Sequence, residues 1–334
     1  MKTGSTPSPV DGKQPLLVET RKLTKVFTSG GSALTAVDSV DFGLEPGQSI
    51  GLVGESGSGK STLGRMIARL EEPTSGALLI DGQEASRLRG SSLKEFHRRV
   101  QIVFQDPYGS LVPRLSAVAN VAEPLVIHRV ADQAGCRRRA LDLLDRVGIP
   151  RSAAELYPSQ FSGGQQQRIA IARALSLGPE MIVCDEPTSA LDVSVQAQVL
   201  ELLRDIQQER GLSLIVISHN LAVIEQLASQ VIVLRSGRVV EQASTTELFA
   251  RPMHPYTRAL IEAVLPVTGP QVALADATSA VPSDLLDGEL TVTISPGHLV
   301  REVLSPEEAQ VRGHVAPVQV PVRGWLRLRR GIPR

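Results

Sequence analysis

The chain has 334 residues, with 35 basic and 35 acidic side chains and a formal net charge of 0 at pH 7. This length suffices for one large domain with an appendage or for two small domains, and the balanced charge argues against a nucleic-acid partner. No uninterrupted apolar run approaches the roughly 18–20 residues that span a bilayer, so any passage across a membrane would need another chain.

The first part of the chain predicts a disordered arm, a group of strands and a strand–loop–helix unit. Residues 1–15 are rich in Ser, Pro, Gly and Thr, which is typical of a disordered arm. Alternating apolar residues from Leu17 to about Phe42 predict strands. A buried strand at 49–53 precedes a glycine-rich loop and a helix predicted from about Lys60 to Leu70. This order is the context that a phosphate-binding loop requires.

The centre of the chain predicts a helical segment followed by a parallel sheet. Residues 106–178 are predicted to be mostly helical. The short apolar runs at 181–184 and 213–218 are separated by helical stretches, which indicates parallel strands of an α/β sheet. Residues 231–241 contain a Ser-Gly turn and predict a hairpin. Beyond residue 265 helical periodicity fades, so we predict a domain boundary there.

The glycine-rich loop fits the phosphate-binding pattern G-x-x-x-x-G-K-[ST]. Its glycines let backbone N–H groups converge on phosphate oxygens, and the following helix directs its positive end at the same anion. In this pattern Lys60 reaches the β- and γ-phosphates, and the Ser61 hydroxyl ligates Mg²⁺. The predicted nucleotide-binding residues here are Gly54, Glu55, Ser56, Gly57, Ser58, Gly59, Lys60, Ser61 and Thr62.

Two adjacent carboxylates, Asp185 and Glu186, follow the apolar strand at 181–184. Ligands of an open α/β sheet bind at the carboxyl ends of its strands, where Asp185 would face Mg²⁺. Glu186 would polarise the water that attacks the γ-phosphate. Alone, the pair fits a solvated strand end equally well. Together with the phosphate loop it predicts nucleotide hydrolysis.

A second anion-binding pattern stands at Ser162, Gly163, Gly164 and Gln165, before a helix predicted from about Gln165 to Leu177. A hydroxyl, exposed N–H groups and the helix dipole point one way at such a helix start. An ordinary N-cap with flexible glycines gives the same pattern. If the segment binds phosphate, two arrangements stay open: one nucleotide touches both helix starts, or this start serves a nucleotide held by another subunit.

The order of these motifs resembles the ABC ATPase family. The Ser-Gly-Gly-Gln segment lies between a Walker A loop and a Walker B strand, and the resemblance covers about residues 17–265. By this resemblance the chain also has a Q-loop glutamine, a D-loop at 189–192, a switch histidine and an aromatic that stacks on adenine. The corresponding residues are Gln105, Asp192, His219 and Phe27.

The resemblance implies an α/β fold: a P-loop ATPase core with a parallel sheet, an N-terminal antiparallel β subdomain, a helical subdomain and a C-terminal extension. We expect the core at 16–265, its helical subdomain at about 106–178 and the extension at 266–334. The implied cofactors are ATP and Mg²⁺, the metal held by Ser61, Gln105 and Asp185.

Members of the family form head-to-tail dimers with two ATP molecules at the interface. The resemblance implies that Ser162 and Gly164 contact an ATP held by the other subunit. Hydrolysis would then drive a solute through separate membrane-spanning permease subunits. The chemistry would rest on Lys60, Gln105, Glu186 and His219.

Two segments resemble the branch that imports oligopeptides, dipeptides and nickel, namely Asp-Pro-Tyr-Gly-Ser-Leu at 106–111 and His-Pro-Tyr-Thr-Arg-Ala-Leu at 254–260. This implies peptide import, an indirect solute-binding protein and a peripheral position on the cytoplasmic face of the membrane. The solute, and the choice between a homodimer and a pair with a paralogue, stay open. The alternative is a soluble ABC ATPase without a permease. Such proteins usually carry a coiled-coil insertion or two tandem cores, and neither is seen.

The sequence departs from the family pattern at several places. Asn220 follows His219 where Asp is usual, and Gln166 stands where Arg is common. The two cysteines, Cys136 and Cys184, both precede residue 266, so the extension cannot hold the iron–sulfur cluster that this branch often carries. The Arg-rich stretch at 323–334 fits a frayed end or a contact with anionic lipid.

Overall fold

The computed structural model describes residues 16–189, 191–264, 286–295 and 297–304. The predicted arm at 1–15, most of the predicted extension and the Arg-rich stretch at 323–334 lie outside the described residues. Within these ranges the chain forms two sheets, and helices pack against both faces of the larger one.

The smaller sheet is antiparallel and has the strand order β2–β1–β4–β5. Its strands are β1 (Val18–Ser29), β2 (Ser32–Leu44), β4 (Ser75–Ile80) and β5 (Gln83–Glu84). Apolar side chains of this sheet, among them Leu23, Val37 and Phe42, pack in one cluster with Leu63 of the helix after the glycine-rich loop. The predicted N-terminal strands and antiparallel β subdomain are therefore confirmed.

The larger sheet has the order β11–β12–β10–β9–β3–β8–β7–β6. Five of its strands are parallel: β3 (Ser49–Val53), β6 (Val100–Val103), β7 (Met181–Asp185), β8 (Ser213–Ile217) and β9 (Gln230–Arg235). β10 (Arg238–Ser244), β11 (Leu286–Ser295) and β12 (His298–Leu304) add antiparallel strands. The predicted parallel sheet and the hairpin of β9 and β10 are confirmed.

Both faces of the central strands are buried, which explains their continuous apolar sequences. In β7, Met181 and Val183 face the cluster that contains the small sheet, whereas Ile182 and Cys184 face a second cluster of helices. All five residues of β7 are buried. Because these strands run parallel, their carboxyl ends lie together at one edge of the sheet, and the candidate site lies at that edge.

The helices cover the sheet and form the predicted helical segment. They are α1 (Lys60–Ile67), α2 (Gly90–Arg99), α3 (Pro107–Ser110), α4 (Ala117–Ile127), α5 (Gln133–Arg146), α6 (Gly163–Leu175), α7 (Val193–Arg210), α8 (Leu221–Leu227), α9 (Thr245–Ala250) and α10 (Pro255–Val264). Helices α3–α6 confirm that residues 106–178 are mostly helical.

Three predicted helix boundaries were wrong by two or three residues. Helix α1 ends at Ile67 rather than Leu70, because Arg69 adopts a φ of 56° and donates from Nε to the Ala85 carbonyl at 2.8 Å. Helix α6 begins at Gly163 instead of Gln165, since Ser162 caps it, and ends at Leu175.

The strands beyond the predicted boundary at residue 265 continue the core sheet. In the β12–β10 ladder, Val300 lies opposite Glu241 and Leu299 opposite Gln242. The division into a core at 16–265 and an extension at 266–334 stays a prediction. Among the described residues, no helix has the length and apolar character needed to cross a membrane.

Candidate nucleotide-binding site

The glycine-rich loop is held between the ends of neighbouring strands. Gly54 has a φ of 147°, and a Cβ atom there would lie 2.1 Å from the Leu234 carbonyl oxygen. Gly59 has a φ of 100°, and its Cβ would lie 2.2 Å from the Ala36 carbonyl oxygen. Both positions therefore require glycine, because a side chain would meet backbone as well as strain. The loop also receives a hydrogen bond from the Gly237 N–H to the Ser58 carbonyl at 3.0 Å.

Lys60 is fixed inside this loop. Its Nζ donates to the carbonyl oxygens of Gly54 at 2.7 Å and Glu55 at 2.6 Å, and the side chain is buried. Burial lowers the pKa of Lys60, and the negative charges of Glu186 and Asp185 oppose that shift. The loop thus holds a cation at the start of a helix, where an anionic phosphate chain is attracted by both charge and dipole.

Ser61 and Asp185 bring two oxygen ligands together. The Ser61 hydroxyl donates to Asp185 Oδ1 at 2.9 Å, and burial raises the pKa of Asp185. A hydroxyl and a carboxylate are the hard oxygen donors that Mg²⁺ prefers, so this pair fits the predicted metal. Gln105 is exposed two residues beyond Val103, which lies opposite Cys184 in the ladder between β6 and β7. The predicted ligand Gln105 therefore follows β6, and β6 pairs with β7, the strand that ends at Asp185.

Glu186 and His219 form a second polar pair at the same edge. Glu186 Oε1 accepts a hydrogen bond from the His219 backbone N–H at 3.1 Å and lies 2.8 Å from His219 Nδ1. Glu186 has a φ of 51°, which turns the chain sharply after β7. Its side chain is only 11% exposed, whereas the imidazole is 58% exposed. The largely buried carboxylate of Glu186 is therefore held in position by His219, whose imidazole is exposed to solvent.

The Ser-Gly-Gly-Gln segment forms the start of α6 with a complete capping box. Gln165 N donates to Ser162 Oγ at 3.4 Å, and Ser162 N donates to Gln165 Oε1 at 3.0 Å. Ser162 and Gly163 are exposed. Ser162 and Gly163 therefore lie on the surface at a helix N-terminus, as the sequence predicted, whereas Gly164 is buried.

Gly164 packs this segment against the D-loop side of the molecule. A Cβ on Gly164 would lie 2.2 Å from Val195 Cγ1 in the first turn of α7. Asp192 caps that helix, because its Oδ1 accepts from the Val195 N–H at 2.9 Å and from the Ser194 hydroxyl at 2.7 Å. The Ser-Gly-Gly-Gln segment and the start of the helix that Asp192 caps thus pack against each other.

Phe27, the predicted adenine-stacking residue, lies on β1 opposite Leu34. It is 40% exposed, and Lys25 Nζ lies 4.9 Å from the centroid of its ring. Lys25 is itself paired with Glu71. The ring therefore has a surface available for a flat partner, with a cation close to it. Thr62 follows Ser61 within α1 and is half-buried.

The two departures from the family pattern have local structural roles. Asn220 Oδ1 accepts from the Ala222 N–H at 3.0 Å and so caps α8, while His219 is held by Glu186. Gln166 is buried, and its Nε2 donates to the carbonyl oxygens of Pro158 at 2.8 Å and Phe161 at 3.2 Å. Gln166 therefore holds the backbone of residues 158–161, the loop that precedes Ser162, in position.

One residue that contacts the loop was not predicted from the sequence. The Tyr256 hydroxyl, from the His-Pro-Tyr motif at the start of α10, accepts the Glu55 N–H at 2.9 Å. The motif resembles a subfamily feature, but 201 positions separate Tyr256 from Glu55. No local pattern indicates a contact across that distance.

Comparisons with known proteins agree with this geometry. Residues 37–189 match the family described as "ABC transporter", and residues 240–287 match "Oligopeptide/dipeptide transporter, C-terminal region". The chain is 48% identical over 248 residues to a putative peptide import ATP-binding protein of Brucella abortus, covering 74% of this chain and 78% of that protein. The chain belongs to the ATP-binding proteins of ABC transporters. This ABC ATPase is also 42% identical over 291 residues to the oligopeptide transport ATP-binding protein OppF of Bacillus subtilis, covering 85% and 95% of the two chains.

Solved structures extend the likeness to the whole cassette. The dimeric, post-hydrolysis structure of the ATP-binding cassette MJ0796 with ADP and Pi has a TM-score of 0.64 and 33% identity, covering 68% of this chain and 98% of that one. The cbiO1 protein of Clostridium perfringens has a TM-score of 0.63 and 26% identity, covering 71% and 92%. The predicted α/β ABC ATPase fold and the assignment as an enzyme that binds and hydrolyses ATP are confirmed.

Proposed function

We propose that this ABC ATPase powers the import of peptides through membrane-spanning permease subunits. The single observation that carries the ATPase part is the convergence of the Ser61–Asp185 and Glu186–His219 pairs beside the Lys60 loop. The peptide part is supported by the match of residues 240–287 to the oligopeptide and dipeptide family and by relatives named for peptide transport.

Different residues of the site bind the nucleotide, hold the metal and activate the attacking water. The backbone N–H groups of the glycine loop and the Lys60 ammonium bind the phosphates, and Phe27 stacks on the adenine. Ser61, Asp185 and Gln105 would hold Mg²⁺, which supplies positive charge against the phosphate oxygens when it is bound. Glu186 takes the proton of the attacking water, and His219 holds that carboxylate in place while its exposed imidazole faces the γ-phosphate.

The second half of each site comes from another ATPase subunit. Ser162, Gly163, Gly164 and Gln165 lie at an exposed helix start, and Asp192 caps the neighbouring helix. In a head-to-tail dimer these groups close over an ATP that the partner's loop holds. Closure on ATP and reopening after hydrolysis then constitute the motion passed to the permease. The partner is a second copy of this chain or a paralogue, and no nucleic acid takes part.

The cellular location of the protein follows from the same proposal. The ATPase lies on the cytoplasmic face of the membrane, bound to the permease through its helical segment at 106–178. A separate solute-binding protein delivers the peptide from the other side. The solute is thus recognised by the binding protein and permease, and this chain supplies the free energy of ATP hydrolysis.

Uptake by cells tests the proposal. The gene is deleted, and accumulation of radiolabelled tripeptides, pentapeptides and ⁶³Ni²⁺ is measured after complementation with wild type or Glu186→Gln, at equal expression by immunoblot. Peptide uptake should be lost on deletion and restored by wild type alone. Loss of nickel uptake alone would replace peptide with nickel as the solute. Unchanged uptake, and an ATPase that purifies without a permease, would favour the soluble alternative.

A further inference from the structure

Tyr256 reaches the phosphate loop from a distant part of the chain. It is 1% exposed, at the start of α10, and its hydroxyl oxygen lies 2.9 Å from the Glu55 backbone nitrogen. Glu55 is the second residue of the loop that begins at Gly54. Its N–H group therefore donates to a buried side chain of the C-terminal segment.

Both backbone polar groups of Glu55, which belong to two successive peptide units, are hydrogen-bonded. Its N–H donates to Tyr256, and its carbonyl accepts from Lys60 Nζ at 2.6 Å. Fixing both groups of one residue fixes the direction in which the following N–H groups of the loop point. Tyr256 thus acts on the same stretch of backbone that Lys60 closes from inside.

The tyrosine ring is itself packed against the end of β9. The Arg235 guanidinium carbon lies 5.3 Å from the ring centroid, and the adjacent residue, Leu234, supplies the carbonyl that closes on Gly54. Burial raises the pKa of Tyr256 to about 12, so the hydroxyl stays neutral at physiological pH. A neutral hydroxyl can accept the Glu55 N–H at that pH.

A buried polar network anchors the backbone of Tyr256. The Tyr256 N–H donates to His254 Nδ1 at 3.1 Å, and the His254 N–H donates to Glu241 Oε2 at 3.0 Å. Glu241 is 0% exposed, and its Oε1 also lies 2.7 Å from Nε2 of buried His298 on β12. Because partly satisfied buried carboxylates are costly, these contacts fix one arrangement of the segment.

We propose that Tyr256 is a positioning residue for the phosphate loop and that the Glu241–His298 contact links the C-terminal strand β12 to it. The role is to hold the Glu55 peptide in the orientation that binds phosphate. Tyr256 is buried and its hydroxyl accepts the Glu55 N–H, so it acts on nucleotide binding through the loop. The proposal rests on nucleotide binding by the chain and is independent of which solute is transported.

The test compares Tyr256→Phe with Thr257→Val in the full-length purified chain. Thr257 is the next residue of α10 and is fully buried, and among the described residues its Oγ1 has no hydrogen-bond partner. Each variant loses one buried hydroxyl, but only Tyr256→Phe loses the contact with Glu55. ADP and a non-hydrolysable ATP analogue are titrated by calorimetry, well below the Tm of each variant.

Tyr256→Phe should raise the Kd of both nucleotides by about 2- to 10-fold, the range expected for one hydrogen bond. KM for ATP should rise by a similar factor, with kcat within about 2-fold, because saturating ATP restores the loop. Thr257→Val should leave Kd unchanged. Equal Kd values in wild type and Tyr256→Phe, or equal shifts in the two variants, would overturn the proposal. A negative result in the peptide-uptake experiment would not contradict this proposal about Tyr256.

Amide hydrogen exchange distinguishes positioning of the phosphate loop from a general contribution of Tyr256 to stability. Amide exchange in the peptide that contains Glu55 should accelerate in Tyr256→Phe, with little change in helices remote from the loop. His298→Gln should raise Kd by a smaller factor and should add nothing further in the Tyr256→Phe background. A full additional effect of His298→Gln in that background would show that β12 is not linked to the loop through Tyr256.

Discussion

Two regions of the molecule carry helix starts that are predicted to bind phosphate, and they are built differently. At the first, Lys60, Ser61 and Asp185 are bound to one another or to the loop, largely out of solvent. At the second, Ser162 and Gly163 are exposed, and the hydrogen bonds of the capping box stay within residues 162–165. We propose that the first region binds phosphate with groups of one chain, whereas the second completes the site of a partner subunit.

The comparison teaches that the first region is built around the buried charges Lys60, Asp185 and Glu186. Ser162 and Gly163 of the second region are exposed. A buried cation or carboxylate is fixed before the ligand arrives, which favours positioning of the reacting atoms. An exposed helix start gains little from its dipole until another surface excludes water from it. Changes at the first region should therefore alter binding or hydrolysis in one subunit. Changes at the second should alter assembly.

The largest expected effect is at Glu186. Glu186→Gln removes the base and keeps the shape and the phosphate loop, so kcat should fall by at least about 100-fold while ATP affinity stays close to wild type. Phosphate release measures kcat, and calorimetry with ATP measures affinity. Lys60→Ala is the matched variant from the same region. It should lose affinity itself, because no neighbouring group of the loop replaces its charge. Near-normal turnover of Glu186→Gln would remove Glu186 from this role.

The second largest effect is expected at the exposed helix start. Ser162→Arg should leave the affinity of one subunit for ATP within about 3-fold and should abolish ATP-induced dimerisation, because a long charged side chain would enter a closely packed interface. Light scattering with ATP, in the Glu186→Gln background, measures the dimer. Ser91→Arg places the same substitution on another exposed serine, in α2, and should dimerise normally.

Two outcomes decide the comparison. If Ser162→Arg dimerises like wild type, Ser162 does not complete a partner's site. If it instead loses ATP affinity as a monomer, the two helix starts serve the same nucleotide within one chain. The assay uses this chain alone or with its paralogue, whichever combination dimerises in the wild type.

The same contrast explains how much could be predicted from the sequence. The phosphate loop, the carboxylates at the end of β7 and the capping box at Ser162 are each contiguous, so local backbone rules predict them. The contact of Tyr256 with Glu55 and the approach of Gly164 to Val195 are set by tertiary packing. The pairing of β12 with β10 is likewise a long-range event across the predicted boundary at 265. Assignment of Gln105, His219 and Phe27 came from family resemblance, since each alone is an ordinary polar or aromatic residue.

A smaller effect should distinguish packing from ligand contact at Gly164. Gly164→Ala would place Cβ within 2.2 Å of Val195 Cγ1, so it should destabilise the fold by about 1–3 kcal/mol. Thermal unfolding measures the loss, and Val195→Ala in the same chain should restore much of it. The control is Gly163→Ala, whose Cβ would be 3.9 Å from Leu191 Cδ2 and should change Tm little. A Gly164→Ala protein with normal Tm but no dimer would assign Gly164 to the interface alone.

The smallest expected effect is at Asn220, where most of the family has Asp. Asn and Asp cap helices about equally well, and Asn220 Oδ1 already accepts the Ala222 N–H. Asn220→Asp should therefore change stability by less than about 1 kcal/mol, in the stabilising direction, because a negative charge is favourable at a helix N-terminus. ATP turnover should stay within about 2-fold, because Glu186 holds His219. Asn220→Ala is the control that loses the cap and should cost about 0.5–2 kcal/mol. If Asn220→Asp instead changes kcat by tenfold at unchanged Tm, this residue acts on His219 during turnover, and capping is not its main role.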